Sequence, residues 1–184
     1  MKELSLNILD ITENSVKANA SLVRILLSEN TDKLEIAIED DGVGMTKEVL
    51  STVENPFYTT RTTRKVGMGV PLFRFAALQT NGSFKITSRH IEEYPNDHGT
   101  RVYAAFNKSH IDFTPLGDVI STIVTLVQGH PNTDFLFTHE TENGTVSLDT
   151  RELREVLEGV PLDNFEVILW IKENLAEQYE CIKY

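Results

Sequence analysis

Asn7, Asp10, Asn14 and Lys17 follow one another at spacings of three, four and three residues. At 100° per residue a helix carries all four on one face. A carboxylate and an amide one turn apart can share a hydrated Mg²⁺, which takes oxygen ligands and keeps waters. Lys17, a turn further on, is within reach of a phosphate. Alone, such a stripe is an ordinary solvated face. Asp40-Asp41-Gly42-Val43-Gly44-Met45 is a second candidate. Its two glycines let the backbone turn sharply and approach a ligand closely. A carboxylate entering that turn can accept a hydrogen bond from an exocyclic amine. In the third, residues 59–65 hold four Thr, two Arg and one Lys, with Gly67-Met68-Gly69 just after. Hydroxyls, cations and glycines ahead of a helix suit a phosphate, which the free N–H groups of a helix start attract. His98-Gly99-Thr100 is the fourth, and by itself it signals only a turn into a strand.

The elements that must position these groups are readable from periodicity. Residues 4–18 predict an amphipathic helix, with Leu4, Ile8, Ile11 and Val16 opposite the polar stripe. Residues 21–28 and 33–39 predict strands, the second alternating Leu34, Ile36 and Ile38 with Glu35, Ala37 and Glu39. Thr46 suits the N-cap of a short helix to Val53. Residues 55–68 show no period and predict a mobile lid. A helix is expected over 70–79 and strands over 83–88 and 100–106. Beyond them the sequence predicts helices over 116–128, 149–157 and 164–178. Strands at 134–139 and 145–148 are joined by an Asn143-Gly144 hairpin turn. Trp170, Val167, Ile168 and Ile171 are expected to form the core face of the last helix. The five histidines lack metal-ligand spacing.

In this order and spacing, the four candidates resemble the nucleotide-binding boxes of the GHKL ATPases: gyrase, heat-shock chaperone, histidine kinase and mismatch-repair proteins. The stretch from Asp10 through Asn14 to Ala18 is similar to the ELVENSLDAGA-type run of mismatch-repair ATPases. Asp40-x-Gly42-x-Gly44 resembles the adenine box. Asn55-Pro56-Phe57 with the Thr/Arg cluster and Gly67-Met68-Gly69 resembles the lid and glycine box of histidine kinases. Gly99-Thr100 resembles the final box. The resemblance covers about residues 4–106.

It implies a two-layer α/β sandwich, with helices on one face of a mixed sheet, and ATP and Mg²⁺ as cofactors. Asn14 would meet Mg²⁺ and the phosphates, with Lys17 near them. Asp40 would bind the adenine amine, Gly42 and Gly44 would admit the base, and Thr100 would support Asp40. Gly67 and Gly69 would cradle phosphates, and Arg61, Arg64 or Lys65 would meet the γ-phosphate. Met45, Thr59, Thr60 and Met68 join them as nucleotide-binding positions. Asp10 stands where hydrolytic members carry a catalytic Glu; the charge is kept and the reach shortened. Lys65 stands where a first glycine is usual. Little precedes the first box, where a histidine kinase needs a helical hairpin with its phosphoacceptor, so a stand-alone domain is expected.

Composition adds boundaries. The 184 residues carry a net charge of −11, which argues against nucleic acid and anionic membranes as partners. Residues 1–107 hold 12 basic and 14 acidic side chains, and residues 108–184 hold 5 and 14. The expectation is an ATP-binding domain over 1–107 followed by a small acidic α+β extension over 108–184. The single Cys181 and the missing leader predict a cytoplasmic protein. The leading functional expectation is an ATP-dependent regulator of the anti-sigma kinase type, transferring phosphate to Ser or Thr of a partner protein. The alternatives are the catalytic module of a split histidine kinase and a non-enzymatic ATP-gated binding module. A homodimer is possible in each.

Overall fold

The computed structural model describes residues 2–54 and 68–182. The chain runs α1 (Leu4–Lys17), β1 (Leu22–Glu29), β2 (Lys33–Asp40), α2 (Lys47–Glu54), α3 (Gly69–Gln79), β3 (Ser83–Arg89), β4 (Gly99–Asn107), α4 (Val119–Gly129), β5 (Asp134–Thr141), β6 (Gly144–Asp149), α5 (Thr150–Leu157) and α6 (Phe165–Cys181). Six strands form one sheet in the order β3-β4-β2-β1-β5-β6. β1 and β5 are parallel, and every other neighbouring pair is antiparallel. This is the α/β sandwich that the sequence implies. The lid expected over 55–68 lies, apart from Met68, outside the described residues.

Strand alternation dictates where the core sits, because a one-residue slip would turn every apolar side chain to the wrong face. One rung crosses all six strands: Ile86, Val102, Ile38, Ile25, Phe137 and Leu148 pair in succession. All six are buried. α1, α3, α4 and α6 supply core side chains, among them Ile8, Phe73, Ile123 and Ile171. The Phe73 ring meets Phe84 edge-on at 6.4 Å and Phe106 at a tilt at 5.6 Å, which seats α3 over β3 and β4. Asn7, placed by periodicity on the polar face of α1, is buried as well. α1 packs against both α3 and α4, so part of its polar stripe faces protein and not water.

The acidic second region adds β5 and β6 to the same sheet. It also completes α1, whose first N–H groups have no partner within the helix. Leu4 donates to the Pro115 carbonyl at 2.9 Å and Ser5 to that of Leu116 at 2.8 Å. This is why α4 starts at Val119 and not at 116. Leu116 gives its carbonyl to α1, Gly117 has φ +80°, and Asp118 caps α4 by accepting from Ser121 N–H at 2.9 Å. The edge strand β6 is covered by Gln178, whose amide both accepts from and donates to the Ser147 backbone. Trp170 departs from expectation: Val167 and Ile171 enter the core, while Trp170 is 49% exposed.

A polar bolt closes the seam between the two regions. His139 on β5 is 3% exposed. Its Nε2 lies 3.2 Å from Glu29 on β1, and its Nδ1 lies 2.8 Å from the Tyr179 hydroxyl on α6. Lys108 pairs with the other Glu29 oxygen at 2.7 Å. The hydrogen bond to His139, joined by Lys108 and opposed by burial, holds Glu29 at about 2, below the ordinary 4.5. A depressed carboxylate stabilises the fold above its unfolded value and loses that contribution as pH falls through its folded value. Glu29→Gln should therefore be less stable than the parent at about pH 6, with the gap narrowing as pH drops from about 4.5 towards 2. Urea midpoints of both proteins across that range check it; a constant gap would show that Glu29 is not held low.

Candidate functional site

The rung next to the six-strand apolar one changes character halfway across the sheet. Val23 and Phe135 continue it on β1 and β5, but on β2, β4 and β3 it reads Asp40, Thr100 and Ser88. These three share parity with Ile38, Val102 and Ile86, so they face the helical layer from the sheet's end. A carboxylate there must be satisfied by donors, because desolvation disfavours its charge.

Asp40 finds them on three elements. Oδ2 accepts from the Ser15 hydroxyl of α1 at 2.6 Å. Oδ1 accepts from Gly42 N–H at 3.0 Å and Thr100 N–H at 3.2 Å. Burial still prevails over these bonds, and Asp40 stays above the ordinary aspartate range. A carboxylate offers about four acceptor positions. Three are filled within the chain, which leaves room for about one further donor. Asp41 next door behaves oppositely. Burial opposes its ionisation, yet Leu22 N–H and both Ser21 donors hold it below the ordinary value. Asp41 thereby ties the start of β1 to the turn, a structural duty.

Beside Asp40 lies a cavity of about 250 Å³. Its walls are largely apolar, with Ile11, Val53, Val70, Ile86 and Val102, and its polar groups are few. That combination is typical of small-molecule sites, and the volume falls just below their usual range of about 300–1,000 Å³. Six positions singled out from sequence line it: Asn14, Lys17, Asp40, Gly44, Met45 and Thr100. Asn14 is half-buried, whereas Lys17 is 71% exposed and pairs loosely with Glu13 at 3.9 Å. Gly44 has φ +69°, and a side chain there would run into the Arg89 carbonyl, so the turn is reserved for glycine. Gly42 lies against α1, where an added Cβ would sit 2.8 Å from the Ala18 carbonyl.

Asp10 is exposed and lies outside the lining of this cavity. It does meet the start of α3, since a Cβ on Gly69 would fall 2.8 Å from the Asp10 Cβ. Gly69 is buried and Met68 is exposed. The α3 N-terminus has no side-chain cap, and Pro71 removes one of its N–H groups. The structure thus brings Asp10, Asn14 and the head of α3 to one end of the pocket. Thr59, Thr60, Arg61, Arg64, Lys65 and Gly67 lie outside the described residues. Among the described residues no cluster of three or more His, Cys, Asp or Glu could hold a metal. A cation beside Asn14 would draw most of its oxygen ligands from phosphates and water.

Three residues to which the sequence assigned no role complete the site. Ser15 is the α1 donor to Asp40. Ser88 accepts from Met45 N–H at 2.7 Å and bonds the Thr100 hydroxyl at 2.8 Å and the Gly99 carbonyl at 3.0 Å. His98 Nδ1 lies 2.6 Å from the Gly42 carbonyl, which can only accept, so that nitrogen carries a proton. Thr100 therefore serves Asp40 through its backbone N–H, and its hydroxyl braces Ser88 and the loop.

Solved structures share this architecture. The ADP-complexed MutL ATPase domain of Aquifex aeolicus superposes with a TM-score of 0.55 at 16% identity, over 86% of this chain and 70% of that domain. The N-terminal domain of a DNA repair protein gives 0.56 at 13% identity, over 81% of this chain and 52% of its own length. At such identities the likeness speaks for the fold alone. No curated protein matches the chain by sequence. The family model for histidine kinase-, DNA gyrase B- and HSP90-like ATPases matches residues 2–110, more than half of the chain, and this protein belongs to that family.

Proposed function

We propose that this chain binds Mg-ATP beside Asp40 and passes the γ-phosphate to a hydroxyl of a partner protein. The observation that carries the reading is the Asp40 carboxylate, fixed by three internal donors at the wall of an apolar cavity with acceptor capacity to spare. An adenine amine supplies the missing donor; a guanine offers a carbonyl in the same place. The ADP held by the MutL fold neighbour supports a nucleotide here. Bound Mg-ATP would supply the electrophilic phosphorus and ADP as the leaving group. Asn14 would hold the metal and phosphates, and the N–H groups at the head of α3 would meet the phosphate end. Asp10, one turn before Asn14 and open to solvent, is free to hold the proton of an incoming hydroxyl. Its side chain is one methylene shorter than Glu, and proton transfer needs a reach of about 2.6–3.2 Å. Slow unassisted hydrolysis and faster transfer to a docked hydroxyl follow from that.

Asp40→Asn should lose a charge-assisted bond worth roughly 1.5–3 kcal/mol and bind ATP about 10- to 150-fold more weakly. Thr100→Val should cost far less, because Asp40 uses the backbone N–H at that position. The parent's affinity should fall in mildly acidic buffer, since burial makes Asp40 take up its proton earlier than an ordinary aspartate. Asp40→Asn should not show that fall. Calorimetry of the three proteins with ATP and GTP checks all of this; equal ATP and GTP affinity would overturn the adenine assignment.

The fate of the phosphate is tested with γ-labelled ATP, the purified chain and lysate of its source. Acid-stable label on a second protein, lost in Asp10→Ala, is the expected result. Acid-labile label would point to a histidine acceptor and a split histidine kinase. Rapid phosphate release by the chain alone would overturn both kinase readings. Nucleotide bound and never consumed would leave an ATP-gated binding module.

A further inference from the structure

We propose that the cleft between α5 and α6 docks a cationic amphipathic helix of a partner protein. The cleft measures about 890 Å³ and shares no lining residue with the cavity beside Asp40. It is a separate surface, and the inference does not rest on phosphoryl transfer. Leu148 and Val167 form its buried floor, while Val156 and Trp170 stand at its mouth, 78% and 49% exposed. Among the described residues, five of the thirteen exposed large apolar side chains fall within residues 156–170. Three of these five, Val156, Val160 and Trp170, line the cleft together; single exposed apolar residues are ordinary, but a group around one cleft marks a place where something binds.

Charge says what binds. From 149 to 182 the chain has nine acidic and three basic residues. Two of those cations are used internally, Arg151 on Asp149 at 2.6 Å and Arg154 on Asp134 at 2.7 Å. Glu152 and Glu166 line the cleft, and neither has an ion-pair partner among the described residues. An apolar slot rimmed by unneutralised carboxylates complements a helix with apolar anchors at i, i+3 or i+4 and i+7, flanked by Lys or Arg. The anchors supply affinity in the desolvated floor, and the rim charges set approach and orientation. An acidic or uniformly polar segment would meet repulsion or leave the floor in water.

Trp170 is the only tryptophan in the chain and stands in the cleft, so its fluorescence reports occupancy directly. The probe is a synthetic Leu/Lys helix of about 18 residues with an apolar stripe. Its controls are a scrambled peptide of the same composition and one with Glu in place of Lys. The expected result is a saturable blue shift of Trp170 with the probe, at least about tenfold weaker binding of both controls, and weakening as salt rises. The double variant Glu152→Gln, Glu166→Gln should lose several-fold in affinity for the Lys-rich probe, with a weaker salt dependence, while its ATP affinity stays that of the parent. Equal binding of the scrambled peptide, or no saturable shift, would overturn the proposal. So would sedimentation showing a dimer of this chain that Val156→Asp dissociates, because the cleft would then be occupied by a second copy.

Discussion

A carboxylate taken out of water has to be paid back in hydrogen bonds, and Asp40 imposes that requirement on three elements at once. Ser15 must come from α1, Gly42 from the turn after β2, and the Thr100 amide from β4. None of these donors is near Asp40 in sequence except Gly42. The position of α1 over the sheet, the course of the turn and the β2–β4 register therefore all meet at one side chain. The rest of the pocket follows. Once the turn is fixed, Met45 N–H reaches Ser88, and Ser88 ties the loop to the β3–β4 edge. His98 holds the Gly42 carbonyl from the other side. The site is preorganised by the same bonds that make a buried charge tolerable.

The second constraint is nonlocal. β1 is an interior strand only because β5 lies parallel to it, with about 110 residues between paired positions, as in Leu27 and His139. Parallel pairs are normally buried on both faces. Here the helical layer covers one face, and a satisfied polar cluster closes the end of the seam where Glu29, His139, Tyr179 and Lys108 meet. Removing Glu29 would leave the buried Nε2 of His139 without that partner, a larger cost than the bond itself. The acidic region is thus part of the sheet that carries the site, and its strand caps the sheet where β1 would otherwise be an open edge.

Much of this was legible in the sequence because the signals were local. The alternation of Leu34, Ile36 and Ile38 extends by parity to Asp40, which marks that residue as facing the helices. Asp149 and Asn164, which the sequence puts at helix starts, cap α5 and α6 through their own side chains, as their residue types allow. What escaped was set by pairing across the chain. Ser15 looks like an unremarkable helix serine, and Ser88 like a strand end, until β3, β4 and β2 are put in register. Helix α4 looked longer because its apolar period begins at Leu116, while the Leu116 carbonyl is claimed by α1, over 100 residues away. Trp170 has core composition and helical spacing, but it stands half-exposed at the mouth of the cleft between α5 and α6.

The two surfaces of the molecule, pocket and cleft, are joined by packed elements. α1 bears Asn14 and Ser15 on the pocket. It holds α4 through the Thr122 hydroxyl on the Ser5 carbonyl at 3.3 Å and through Glu13 on His130 at 2.6 Å. α4 in turn packs on α6, which forms one wall of the cleft. Contiguity of this kind is a condition for coupling and not yet coupling, which needs an element with two arrangements that both sites bias. Of the polar links in the series, the Glu13–His130 pair joins α1, one residue before Asn14, to the C-terminal end of α4. α4 is the element that stands between the two surfaces, held on α1 by the Thr122 and His130 links and packed on α6.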